Sequence, residues 1–147
     1  MVRVVRLLVA IMAHPLALRV GLAKVISVFI RIVFACQVSP GFRAGRDFTL
    51  AYGGLGTIIH GGCRVGDRVT IGANVTLGGN FGKGGVPMVG NDVYIATGAK
   101  VLGPVIIGDG VTIAANAVVL SDVEPFTVYG GVPARRLGDA RSDRNPA

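Results

Sequence analysis

The sequence holds two histidines, His14 and His60. Imidazole is the side chain that in general titrates near neutrality, where it can exchange a proton with a reacting group, so the chemistry to look for is general acid–base catalysis. His14 precedes Pro15 between two apolar stretches, the setting of a structural, hydrogen-bonded histidine. His60 follows Ile59 and is the candidate base, its side chain expected to point outward. Cys36 and Cys63 make neither a disulfide framework nor a metal knuckle; they fit a reducing cytoplasm, with Cys63 as an inward apolar filler. No metal is expected: a zinc site of the γ-carbonic anhydrase type needs three histidines.

The elements that must hold His60 follow from a repeat. An aliphatic residue recurs every six positions at Val65, Ile71, Leu77, Val89, Ile95, Val101, Ile107, Ile113 and Val119, the step from 77 to 89 being twice six. Four residues after each stand Val69, Val75, Phe81, Val93, Ala99, Val105, Val111, Ala117 and Val123, again aliphatic, aromatic or small. A period of six is too short for a helical repeat. It suits a short parallel strand and a tight corner, three of which close one triangular coil, with coils stacked along an axis at about 4.8 Å. Nine hexads give three coils, residues 44–64 a less regular further coil, and 125–132 finish a face. Residues 80–88 leave the register intact and are therefore an excursion from one coil. The tail from Asp139 is polar, without periodicity, and expected to be disordered.

Charge is unevenly placed. Of 15 basic residues, seven (Arg3, Arg6, Arg19, Lys24, Arg31, Arg43, Arg46) precede the first acid, Asp47; the remainder balances the eight acids. No basic stripe with interleaved aromatics crosses the repeat, so nucleic acid is not the expected partner. Residues 1–37 are apolar and basic, divided by Pro15 into helical stretches at 2–13 and 16–35, neither with the run of about 20 apolar residues that a span needs. Their apolar faces are expected to pack on the rest of the protein or a neighbouring subunit; the alternative is peripheral contact with the cytoplasmic face of a membrane.

The hexads, the segment Val75-Thr-Leu-Gly-Gly79, the loop Gly82-Lys-Gly-Gly85 and the ending Gly131-Val-Pro-Ala-Arg135 resemble those of the hexapeptide-repeat acyltransferases. The likeness covers about residues 38–138 and points to the serine acetyltransferase-like branch, which also holds sugar and polysaccharide O-acetyltransferases. It implies a single-stranded left-handed parallel β-helix, a homotrimer, and acetyl-CoA in the cleft between neighbouring prisms. It further implies Gly78, Gly79, Gly98, Ala99 and Ala117 on the cofactor's path, with Lys83, Lys100, Arg135 and Arg136 for the CoA phosphates. The expected activity is O-acetylation of a small-molecule hydroxyl, serine-like or sugar.

Three family positions differ here. Ahead of Gly56-Thr-Ile-Ile59 the family carries its histidine base, and this chain has Tyr52; the acidic partner of that histidine falls near Gln37, and a second histidine, of the serine pocket, falls at Val86. Phenols are poor bases, so Tyr52 suits positioning the acceptor or donating to an oxyanion, and His60 inherits the base role. The competing expectation is a catalytically weakened subunit with a structural or regulatory role.

Overall fold

The computed structural model describes residues 2–16, 21–82 and 84–140. Short strands wind into a parallel β-solenoid. The first coil holds β1 (Gln37–Val38), β2 (Arg43–Ala44) and β3 (Thr49–Leu50); the second β4 (Ile58–Ile59), β5 (Arg64–Val65) and β6 (Thr70–Ile71). The third holds β7 (Thr76–Gly78), β8 (Met88–Val89) and β9 (Tyr94–Ile95), and the fourth β10 (Lys100–Leu102), β11 (Ile106–Ile107) and β12 (Thr112–Ile113). A partial fifth turn brings β13 (Val118–Val119), a bridge from Val123 to Ile107, and β14 (Thr127–Gly130), after which the chain reverses into antiparallel β15 (Arg135–Asp139). Strands stack into three sheets: β1-β4-β7-β10-β13, β11-β8-β5-β2, and β15-β14-β12-β9-β6-β3.

Each strand turns one residue outward and the next inward, which is why a period of six can fill a core. All nine hexad aliphatics from Val65 to Val119 are buried, as are Val69, Val75, Val93, Ala99, Val105, Val111, Ala117 and Val123. Phe81 is the exception. Its register position falls inside the excursion, where the ring is fully exposed, and Val86 packs against the core instead.

The solenoid starts earlier than the repeat arithmetic suggests. Val38 pairs with Ile59 twenty-one residues on, whereas Ile59 pairs with Leu77 eighteen on; three extra residues between β3 and β4 break the count. They form the 3-10 turn Ala51–Gly54. The first coil is lined by Phe42 and Phe48, whose rings meet edge to face at 5.6 Å.

Two helices close this end. The first, α1 (Val2–Met12), packs on β3 and on the turn at Ala51–Gly54; the second, α2 (Leu22–Phe34), packs on α1 and β1. Val5, Val9 and Met12 of α1 and Ala23, Ser27 and Ile30 of α2 are buried, at the spacing of one helical face. Ser27 Oγ donates to the Val38 carbonyl at 2.6 Å and so fastens α2 to the first strand. The expected second helix began at 16; residues 17–20 lie outside the described residues, and α2 begins at Leu22. At the other end β15 runs through Asp139, the first residue of the expected tail, and Ala140 N–H donates to the Phe126 carbonyl at 2.8 Å. Residues 141–147 lie outside the described residues.

Candidate active site

Three corners run along the prism. The first corner follows β1, β4, β7 and β10, and it contains His60 in the second coil and Gly79 with the excursion in the third. His60 N–H donates to the Leu77 carbonyl at 2.9 Å, so His60 lies beside Gly78 of the next coil. Gly103 N–H in turn donates to the Gly78 carbonyl at 2.9 Å. The excursion folds back on this corner: a Cβ built on Gly62 would stand 3.0 Å from Val86 Cγ2 and 3.3 Å from His60 Nδ1. Gly78 and Gly79 have open space where a side chain would go, the nearest atoms lying at 3.8 and 3.7 Å. The result is an exposed imidazole beside two unencumbered glycines, with Val86 as apolar neighbour. Lys83 lies outside the described residues.

The imidazole is held locally. Gly62 N–H donates to His60 Nδ1 at 3.0 Å, so the neutral ring in this pose carries its proton on Nε2. A single exposed hydrogen bond of this kind contributes about 1 kcal/mol, and exchanging it for an acceptor hydroxyl frees Nδ1 for base work. Otherwise Nε2–H is a donor. At the same corner, Arg64 Nη1 sits among the carbonyl oxygens of Gly41, Gly61, Gly62 and Cys63 at 3.0, 3.2, 3.1 and 2.8 Å. Arg64 thus ties the corners of two coils together next to the turn that follows His60. No sequence pattern signals this, because an outward strand arginine next to a cysteine has no repeat signature.

The third corner, leading from the third sheet to the next coil, carries the remaining family positions. Tyr52 lies in the 3-10 turn with left-handed backbone (φ 53°, ψ 27°) and is 72% exposed. It stands at the opposite end of β4 from His60, so one prism does not bring the two together. Gly98 occupies the same corner two coils on, with φ +80°. Ala99 and Ala117 are fully buried. Their carbonyls accept from Thr76 and Lys100, and their N–H groups donate to Ala96 and Ala114, so their polar groups are already used between and within coils. Lys100 Nζ reaches back to the Asn74 carbonyl. Gln37 Oε1 accepts from Arg31 at 3.4 Å, an interaction with the helical cap rather than with either candidate. Arg135 and Arg136 are exposed on β15; Arg135 Nη1 donates to the Ala134 carbonyl at 2.9 Å, and Arg136 pairs with Asp139.

Burial pushes both thiols, Cys36 and Cys63, up to about 11, so neither is a nucleophile at neutral pH. Among the described residues no group of three or more His, Cys, Asp or Glu side chains is placed to hold a metal ion.

A triangular parallel solenoid with a glycine-lined corner and an excursion is the architecture of hexapeptide transferases, and residues 87–121 match the family "Bacterial transferase hexapeptide (six repeats)". The serine acetyltransferase of Helicobacter pylori (strain J99) is 38% identical over 118 residues, covering 79% of this chain and 68% of that protein. The crystal structure of serine acetyltransferase from Vibrio cholerae superposes with a TM-score of 0.79 at 36% identity, covering 85% of this chain and 49% of the other. A serine acetyltransferase solved in complex with CoA superposes with a TM-score of 0.74 at 31% identity, covering 80% and 48%. The chain belongs to the hexapeptide-repeat acyltransferases, in their serine acetyltransferase-like branch. It spans about half the length of these solved structures and 61% of the Staphylococcus xylosus serine acetyltransferase.

Proposed function

We propose that this chain is an acetyl-CoA-dependent O-acetyltransferase acting on a small-molecule or glycan hydroxyl. The observation that carries this reading is the match to the Helicobacter pylori serine acetyltransferase over more than two thirds of that enzyme. The relative solved with CoA supports the thioester as acyl donor. His60, released from Gly62, takes the acceptor's proton as the oxygen attacks the acetyl carbon. The tetrahedral oxyanion then collapses, the C–S bond breaks, and the proton passes to the departing CoA thiolate. Gly78 and Gly79 let the CoA arm approach the backbone. Gly98 lines the far edge of its path, and Ala99 and Ala117, buried behind that edge, shape it from within the prism. Lys83, Lys100, Arg135 and Arg136 supply cations for the phosphates. His60 and Tyr52 stand on different edges of one prism, and the homotrimer that the family resemblance implies would set the first corner of one copy against the third corner of the next.

Gln37 and Val86 stand where the family places an acid and a serine-pocket histidine, which favours a sugar hydroxyl over serine as acceptor. A second reading, a catalytically weakened subunit with a structural or regulatory role, is favoured by Tyr52 in the place of the family's base. Retention on immobilised CoA followed by a free-thiol release assay with serine and a sugar panel tests the first reading: retention with release is expected, and a protein that does neither overturns it. Tyr52→His separates the second. A large gain in turnover identifies a weakened enzyme, and an unchanged or lower rate leaves His60 as the working group.

A further inference from the structure

The helical cap buries one side of each helix and leaves the other uncovered. On α2 the buried row is Ala23, Ser27 and Ile30, and the opposite face presents Val25, Val28 and Ile32, flanked by Phe29; Val25 is 65% and Ile32 76% exposed. On α1 the outward residues include Leu7 and Ile11. Apolar side chains left exposed in this number on two helices packed together call for a partner.

Charge decides which partner. Exposed Arg3, Lys24 and Arg31 border this surface, and the segment before Asp47 contains no acid. Asp47 itself is paired with Arg6 at 3.0 Å. On α2, Lys24 and Arg31 stand seven residues apart on one edge of the apolar face, as on a helix lying flat in an interface with its cations at the headgroups. A second copy docked face to face would set these cations against one another with no acid to answer them. Among the described residues no helix is long and apolar enough to cross a membrane.

We infer that the outer face of the α1–α2 cap is a docking surface for an anionic lipid bilayer, with Val25, Val28, Phe29 and Ile32 entering the acyl boundary and Arg3, Lys24 and Arg31 at the phosphates. The inference needs no transferase activity, and its test reads none. The full chain is sedimented with vesicles of phosphatidylcholine alone and of phosphatidylcholine mixed with phosphatidylglycerol. Binding to the mixed vesicles alone is expected, reversed by salt near 1 M, where the screening length is about 3 Å. Arg3→Gln with Lys24→Gln should weaken binding about five-fold for each charge removed, and Val25→Asp with Ile32→Asp should abolish it. The chain has no tryptophan, so Ile32→Trp gives a clean emission signal that should shift blue on the mixed vesicles. Should the aspartate pair fail to fold, the lipid, salt and Ile32→Trp results stand without it. Three outcomes overturn the inference: absence of binding at low salt, equal binding to both vesicle types, or an oligomer that the aspartate pair dissociates while vesicles retain nothing.

Discussion

The first and second corners of the prism turn the same chain between short strands, and they are finished in opposite ways. At the second corner, between β2 and β3 and their counterparts, side chains cap the backbone of the neighbouring coil. Asp67 Oδ1 accepts from Arg46 N–H at 2.8 Å, Asn91 Oδ1 from Asp67 N–H at 2.8 Å, and Asp109 Oδ1 from Asn91 N–H at 2.6 Å. Arg46 pairs with Asp67 and Arg68 with Asp92 alongside this ladder. Asp47, Arg68 and Asp92 share a left-handed φ of 55° at equivalent places. Among the described residues the first corner has no such ladder, only a single cap in which Ile106 N–H donates to Asp122 Oδ1 at 2.8 Å. It has an exposed imidazole, Gly78 and Gly79 with room beside them, and an excursion of six extra residues. One edge is closed by side chains that cap the next coil in register; the other is held by Arg64 on the carbonyls of Gly41, Gly61, Gly62 and Cys63 and keeps an exposed imidazole with room beside Gly78 and Gly79.

The largest effect that would sharpen this contrast is on turnover. His60→Ala should lower the rate by about 100-fold or more while CoA retention is kept; an unaltered rate removes His60 from the mechanism. His60→Gln keeps an N–H donor near Nε2 and cannot act as a base, so near-full activity in that variant would reassign the residue to hydrogen-bond donation.

Next come the glycines. A Cβ on Gly66, at the closed edge, would stand 2.7 Å from the Gly90 carbonyl oxygen of the next coil, so Gly66→Ala should cost about 1–3 kcal/mol. Gly79→Ala, at the open edge, should leave stability within about 0.5 kcal/mol and act on CoA binding alone. Equal melting shifts for the two would erase the distinction. Arg64→Met keeps most of the side-chain volume and removes the guanidinium that clasps the carbonyls of Gly41, Gly61, Gly62 and Cys63. A loss of about 1–2 kcal/mol is expected, by denaturant titration, with reduced turnover even where the protein is folded.

The smallest effect is on acid stability. Hydrogen bonds from Arg46 hold the Asp67 carboxyl below its ordinary value, and Arg68 does the same for Asp92. Carboxylates lowered in the native state stabilise it above the ordinary pKa of about 3.9, and that contribution is lost as pH falls through the native value. The double variant Asp67→Asn with Asp92→Asn should therefore lie closer to the parent in stability below about pH 4 than at neutrality. Both pairs are exposed to solvent, and salt should shrink the difference.

How far the sequence could be read follows from what each feature repeats. Val65 through Val119 were legible because inward positions recur whatever the neighbours do. The first coil was legible only as a less regular one, since Ala51–Gly54 reset the count, Phe48 stands where later coils carry Val69, Val93 and Val111, and Phe42 stands where the second coil carries Cys63. Phe81 was misread for the complementary reason: a register carried arithmetically through an excursion assigns an inward place to a residue outside the coil. His60 was found as a candidate from its chemistry, but its Gly62 contact and the Arg64 clasp depend on which carbonyls stacking brings together. No single-chain pattern records that. The same holds for Gln37, whose partner is Arg31 on a helix.

Hydrogen bonds along the prism axis fix each strand to its neighbours, and corner length has little say in the matter. Leu77 pairs with Val101 twenty-four residues on and Val101 with Val119 eighteen on, yet both sit in the same sheet without a shift. The excursion between β7 and β8 is in that sense an interchangeable part on a fixed chassis, whereas the turn at Ala51–Gly54 is held by its packing on α1. On the proposed transferase reading, an excursion grafted from a relative changes what the acceptor meets, with no strand redesigned to receive it.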